Sequence, residues 1–183
     1  EKVRLTGIRQ GLNELVLSCE YMNKTELEDC YLIGDFGVDT GRNIIREPQV
    51  LHSGDWCLQG YLHYCGSIIY HLDYDYTPKS DTRKILKLGE FSAVTVEVRV
   101  NGKTAGHIPW RAANRLDITD ELREGNNKID IEVMGSPRNL LGPLHRSNDR
   151  NPWTDAGAFC TEGTEYTAGY VIKPYGLMGQ VAI

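Results

Sequence analysis

The chain has 183 residues, 40% of them hydrophobic and 25% charged, with a net charge of −5. That length suits one domain with a good core. The acidic balance argues against nucleic acid, which needs clustered Lys and Arg, and no apolar run reaches membrane-spanning length.

The start, Glu1-Lys2-Val3, carries neither an initiator Met nor a signal-peptide pattern, so the chain reads as a piece of something longer. Over LNELVLSCEY, Leu15, Leu17, Cys19 and Tyr21 alternate and predict a first strand. A second is expected over ELEDCYLIGDF, after a polar bend at Asn23-Lys24-Thr25. That tripeptide also matches a glycosylation acceptor, a pattern common by chance. In GSIIYHLDYDY, the residues Ile68, Tyr70, Leu72, Tyr74 and Tyr76 share one face, while His71, Asp73 and Asp75 share the other. KILKLGEF reads as another short strand. In AVTVEVRV, Val94, Val96, Val98 and Val100 oppose Thr95, Glu97 and Arg99, a half-buried strand. Asn101-Gly102 then supplies the positive φ angles of a type I′ hairpin turn.

The return strand runs into Pro109, which holds the approach to Trp110 extended. DITDELREGNN predicts one helical turn capped by Asp117 or Thr119 and closed by Gly125 and Asn126. KIDIEV alternates Ile129, Ile131 and Val133 against Asp130 and Glu132. From Ser136 to about Gly163 the period is lost. Apolar Leu140, Leu141, Leu144, Trp153 and Phe159 within it point to an ordered Ω-like loop. YVIKPYGLMGQVAI supplies one or two last strands. Roughly eight strands with turn signals between them predict an all-β fold, an antiparallel β-sandwich or jelly roll, as a single domain over 1–183.

The cysteines Cys19, Cys30, Cys57, Cys65 and Cys160 are odd in number and scattered, without C-x-x-C. Reduced core thiols are expected, not a zinc site or a disulfide framework. No G-x-S-x-G, H-E-x-x-H, phosphate-loop or G-x-G-x-x-G motif occurs. Asp73, Asp75, Glu97, Asp130 and Glu132 fall on solvated strand faces, so no catalysis is expected of this chain alone.

VRVNGKTAGHIPWRAANRLDITDELREGNNKIDIEV resembles the sugar-binding β-sandwich domain of glycoside hydrolase family 2. The matching positions are Val100, Asn101, Gly102, Lys103 and Gly106; Asp117, Ile118, Thr119 and Leu122; and Gly125 and Asn127. Upstream, Gly54, Trp56, Gly60, Tyr61, Tyr64 and Gly66 are similar to that family's earlier strand pair. The likeness covers about Gly54 to Val133 and is that of a galactose-binding-like jelly roll. Two features depart from it: His107 to Ala113 replaces a Gly-rich loop, and the 136–163 segment is longer. The resemblance implies a non-catalytic domain appended to a catalytic barrel of the same parent chain, a glycoside hydrolase. This chain is too short to contain that barrel.

A carbohydrate partner asks for aromatic rings to meet C–H faces and for planar polar groups to meet hydroxyls. Trp56 is expected to be buried framework, as the resemblance implies. Trp110 is expected to close the hairpin end against the core, with Arg111 and Asn114 as polar neighbours should it stand over a sugar instead. Trp153 is the foremost platform candidate, beside His145, Arg146, Asn148, Asp149, Arg150 and Asp155. Packing of that loop on the sandwich or on the catalytic domain is the equal alternative. No cofactor is expected. A structural calcium would draw on Asp35, Asp39, Asp149 and Asp155, without a D-x-D-x-D-G loop to support it.

Overall fold

The computed structural model of the chain describes residues 2–26, 30–79, 82–147 and 154–183. It divides into two compact units, Glu1–Gly34 and Asp35–Ile183. In the first unit the described residues form neither strand nor helix, and nearly all are exposed. The expected bend is present: Thr25 N donates to Met22 O at 2.9 Å, and Thr25 Oγ1 accepts from Met22 N at 2.9 Å.

The two strands expected to flank that bend do not form among these residues. Alternation supplies a face to bury, but a strand also needs a neighbour for its N–H and C=O groups. Leu15, Leu17 and Tyr21 remain 55%, 68% and 75% exposed.

The second unit is an all-β antiparallel sandwich. Its strands are β1 (Phe36–Val38), β2 (Ile44–Arg46), β3 (Ser67–Tyr76), β4 (Ile85–Leu88), β5 (Phe91–Ser92) and β6 (Thr95–Val100). They continue with β7 (Lys103–Ile108), β8 (Arg115–Asp117), β9 (Gly125–Met134), β10 (Gly176–Leu177) and β11 (Val181–Ala182). A four-stranded sheet in the order β3-β9-β6-β7 meets a three-stranded sheet β11-β4-β8 and the pair β10-β5. β1 and β2 form a separate hairpin. The one α-helical segment among the described residues is a single turn, α1 (Arg138–Leu141).

The core follows the period of two. Val96, Val98 and Val100 of β6 and Ile129, Ile131 and Val133 of β9 are essentially inaccessible, in cross-strand register. They face Leu86 and Leu88 of β4, with Phe91, Ile108, Ile118 and Leu177 in the same cluster. Burying each such side chain is worth about 1.5–3 kcal/mol, which makes this double layer the dominant favourable contribution. Val94 falls outside it, 57% exposed and one residue ahead of the strand.

Turn chemistry was readable too. Asn101 and Gly102 adopt φ 52° and 81°. Asp117 Oδ1 accepts from Thr119 N at 3.0 Å and Thr119 Oγ1 at 2.6 Å, just ahead of a 3-10 turn over Thr119–Glu121; the cap position itself is Ile118, without a side-chain cap, which corrects the expected cap at Asp117 or Thr119. Those bonds hold the Asp117 carboxyl below its usual range. The turn closes at Leu122, and Gly125 instead opens β9.

All five cysteines are free, but Cys57 alone is buried: Cys19, Cys30 and Cys65 are exposed and Cys160 is partly so. Strands that would have covered Cys19 and Cys30 do not form among the described residues, and Cys65 stands in the loop before β3. Burial, with the neighbouring Asp55 charge, pushes the Cys57 thiol up to about 12. Because the thiolate is the nucleophile, iodoacetamide at pH 8 is expected to alkylate Cys19, Cys30 and Cys65 and to spare Cys57 in the folded chain. Peptide mass mapping reads this, and a Cys57 adduct formed as fast as the exposed three would contradict the burial.

Candidate functional site

Three segments distant in sequence converge on Tyr170. The first is the β1–β2 hairpin. Asp39 organises its turn: its carbonyl accepts from Arg42 N at 2.9 Å and its carboxylate from Asn43 N at 2.9 Å. Hydrogen bonds from Asn43 hold the Asp39 carboxyl below its usual range. Val38 N donates to Gly60 O at 2.7 Å, which ties the hairpin to the second segment, around His63.

The third joins described residues of the expected 136–163 loop to the stretch that follows it. Thr167 N donates to His145 O, Ser147 N to Glu165 O and Val171 N to Leu144 O, at 2.7–2.8 Å. Arg146 and Tyr166 form an antiparallel bridge. Asn139, fully buried, locks this segment to the chain end: its amide donates to Lys173 O at 2.7 Å and accepts from Lys173 N at 2.9 Å.

His63 and His145 lie edge-on to the Tyr170 ring, at centroid distances of 5.9 and 5.1 Å. Tyr166 stacks on His145 at 5.7 Å. Each imidazole is fixed by a backbone carbonyl: His63 Nδ1 lies 2.5 Å from Asn139 O and His145 Nδ1 2.9 Å from Thr167 O. A carbonyl only accepts, so both Nδ1 atoms carry the proton. In the neutral rings both Nε2 atoms are then acceptors. Neither Nε2 is sealed from solvent, and neither has a hydrogen-bond partner among the described residues. Tyr166 and Tyr170 stay 39% and 37% exposed. The surface thus offers ring area and two oriented acceptors, which suits a ligand with C–H faces and hydroxyl donors.

Arg42 completes the group. Its guanidinium carbon stands 5.0 Å over the Tyr170 centroid, and its backbone has φ 66°. A left-handed conformation costs a non-glycine residue about 1–2 kcal/mol, whereas an exposed cation–π contact returns about 0.5–1 kcal/mol. Local stability therefore does not account for arginine here. No carboxylate pairs with Arg42 among the described residues.

Of the residues singled out from sequence that are described, His145 alone belongs to this group. Arg146 is adjacent but spent: its side chain is 15% exposed and Nε donates to Glu165 Oε2 at 3.0 Å. Asp155 caps a 3-10 turn, accepting from Ala158 N at 3.1 Å. Asn148 and Trp153, with Asp149 and Arg150, lie outside the described residues. Asp39 and Asp155, two of the oxygen donors considered for calcium, are thus bonded to backbone N–H groups.

Trp56 is buried, as expected. Trp110 is not: it is 63% exposed, which corrects the expectation that it closes the hairpin against the core. Ile108 already plugs that end, fully buried as the last residue of β7, so Trp110 passes beyond the final rung. Arg111 is held by a structural bond, Nε to Phe91 O at 2.7 Å, and Asn114 Nδ2 donates to Leu88 O at 2.7 Å. Arg42, His63, Tyr166 and Tyr170 were missed from sequence. The one available signal was the pair Tyr166 and Tyr170, four apart just beyond Gly163 in sequence with no strand period.

No family model matches the chain. Over 88 residues it is 34% identical to a protein provisionally named beta-glucuronidase from Formosa agariphila (strain DSM 15362 / KCTC 12365 / LMG 23005 / KMM 3901 / M-2Alg 35-1). That match takes in 46% of this chain and 7% of the other protein. Among solved structures, it is similar to a rhamnosidase from Novosphingobium sp. PP1Y, with 30% identity, 65% of this chain and 11% of that one, and a TM-score of 0.46. An FMN-binding beta-glucuronidase from Facaelibacterium prausnitzii L2-6 gives 22% identity, 63% and 15% coverage, and a TM-score of 0.37. The chain is therefore similar to short stretches of much longer proteins that carry glycosidase names, spanning 7–15% of their lengths.

Proposed function

We propose that this chain is a non-catalytic, carbohydrate-docking β-sandwich of a multidomain glycoside hydrolase, of the kind found as the sugar-binding domain of family 2. It holds or orients glycan for a catalytic barrel elsewhere in the parent. The observation that carries the docking role is the Tyr170 group: two imidazoles with fixed tautomers and free Nε2 acceptors beside two partly exposed tyrosine rings. The parentage rests on the glycosidase names of the longer relatives and on the motif series from Gly54 to Val133. Affinity for a single sugar is expected to be weak, since a shallow surface buries little area and hydroxyls must be desolvated.

A second reading is favoured by one observation. Val94 and Trp110, 57% and 63% exposed, both lie two residues beyond the paired Val96 and Ile108, and extend that rung past the end of the core. On that reading the sandwich braces a neighbouring domain through this apolar end and has no sugar affinity of its own.

Isothermal titration of the 183-residue chain against a panel of oligosaccharides separates the two. Docking predicts binding that His145→Ala weakens about tenfold, the loss of one hydrogen bond in a dry contact, and that Trp110→Ala leaves unchanged. Heat-silent titrations across the panel, with Trp110→Ala raising solubility, would favour the brace.

A further inference from the structure

The Tyr170 surface contains a cation that neither the fold nor the neutral sugar chemistry of the imidazoles requires. Arg42 occupies a left-handed position where glycine would fit with less strain. Its guanidinium is held over the Tyr170 ring, which His145 also meets, and the residue is exposed. The other arginine of this surface, Arg146, is neutralised by Glu165. Arg42 has no such partner among the described residues, so its charge and its five N–H donors remain available to a ligand.

We propose that Arg42 is the anion-reading residue of this surface and that the glycan docked there is acidic. Its carboxylate or sulfate ester meets the guanidinium, while its hydroxyls donate to Nε2 of His63 and His145. The chemistry fits the residue type: a planar guanidinium matches an oxyanion through two parallel hydrogen bonds, which an ammonium does not reproduce. The inference rests on the docking role proposed above and narrows it to one ligand class.

The test titrates the 183-residue chain with three disaccharides that differ at one position: a glucuronic acid unit, the neutral glucose unit, and the glucose unit carrying a sulfate ester. Wild type is expected to bind at least one acidic form about tenfold tighter than the neutral one, equivalent to about 1.4 kcal/mol. That preference should shrink as salt rises. Arg42→Gly is expected to bring the acidic ligand down to the affinity of the neutral one, weakening the acidic form far more than the neutral one, and to hold or raise Tm by relieving the strained backbone. Arg42→Lys should retain part of the preference. Whichever acidic form responds identifies the oxyanion. Equal binding of all three by wild type, or a uniform loss across them in Arg42→Gly, overturns this assignment while the docking role stands. Absence of binding by all three removes both.

Discussion

Trp56→Ala is expected to destabilise the sandwich by about 3–5 kcal/mol, the range for deleting a large aromatic from a core. The indole is fully buried, stacked on Tyr175 at 5.9 Å and 20° and met edge-on by Tyr64 at 6.2 Å. Its backbone N–H also donates to Tyr175 O at 2.9 Å, so the ring sits where the segment before β3 joins the one before β10. Collapse into the vacated space is resisted because Gly135 already packs against the ring, an added Cβ there falling 3.0 Å from Trp56 Cζ2. Trp56→Phe should cost much less. It keeps most of the stacking and removes an indole N–H that is buried without an acceptor among the described residues. Urea denaturation of the two variants reads the difference, and equal losses would mean that packing is not what Trp56 provides.

The second large effect falls on Asn127. This side chain is fully buried and serves five partners. Its Oδ1 accepts from Asn101 Nδ2 at 2.8 Å and Arg123 N at 2.9 Å. Its Nδ2 donates to Arg123 O and Gly125 O at 2.8 Å and lies 3.4 Å from Tyr74 O. It thereby fastens the hairpin turn at Asn101 to the loop entering β9. Asn127→Ala removes every one of these bonds and is expected to cost about 2–4 kcal/mol, because the abandoned backbone groups stay away from water. Asn127→Asp tests the donor half separately. A buried carboxylate facing Arg123 O and Gly125 O has its pKa raised, since protonation restores a donor. Stability of that variant should therefore rise as pH falls and be lost as pH climbs through the raised value. An Asn127→Asp stability profile parallel to wild type between pH 4 and pH 7 would rule this out.

Both residues belong to motifs legible in the sequence, and the reason is general. Elements whose cause is local could be read directly: the Val96–Val100 and Ile129–Val133 periods and the Asn101-Gly102 turn. The same rule failed for residues 12–34, where alternation was real but nothing among the described residues pairs with it. Trp110 was misplaced because sequence shows that Pro109 extends the chain but not that Ile108 has already closed the core.

The candidate site was the least legible part. Arg42, His63 and Tyr170 come from a hairpin turn, a loop and a segment of no period, and they meet through tertiary bonds at Val38, Asn139 and Thr167. Composition pointed to the polar loop around His145, and His145 is the one of its described residues that joins the Tyr170 group. Arg146, Asp155 and Arg111 have sugar-compatible chemistry, yet each spends it within the protein. Sequence lists the donors, and only the fold decides which remain unspent.

Ring-selective 1H–13C spectra of the 183-residue chain, recorded while oligosaccharides are added, test the central claim most directly. Docking at the Tyr170 surface predicts saturable shifts of the His63 and His145 imidazole signals and of the Tyr170 ring, with Trp110 unmoved. Imidazole signals that stay fixed throughout, or shifts confined to Trp110, would contradict it.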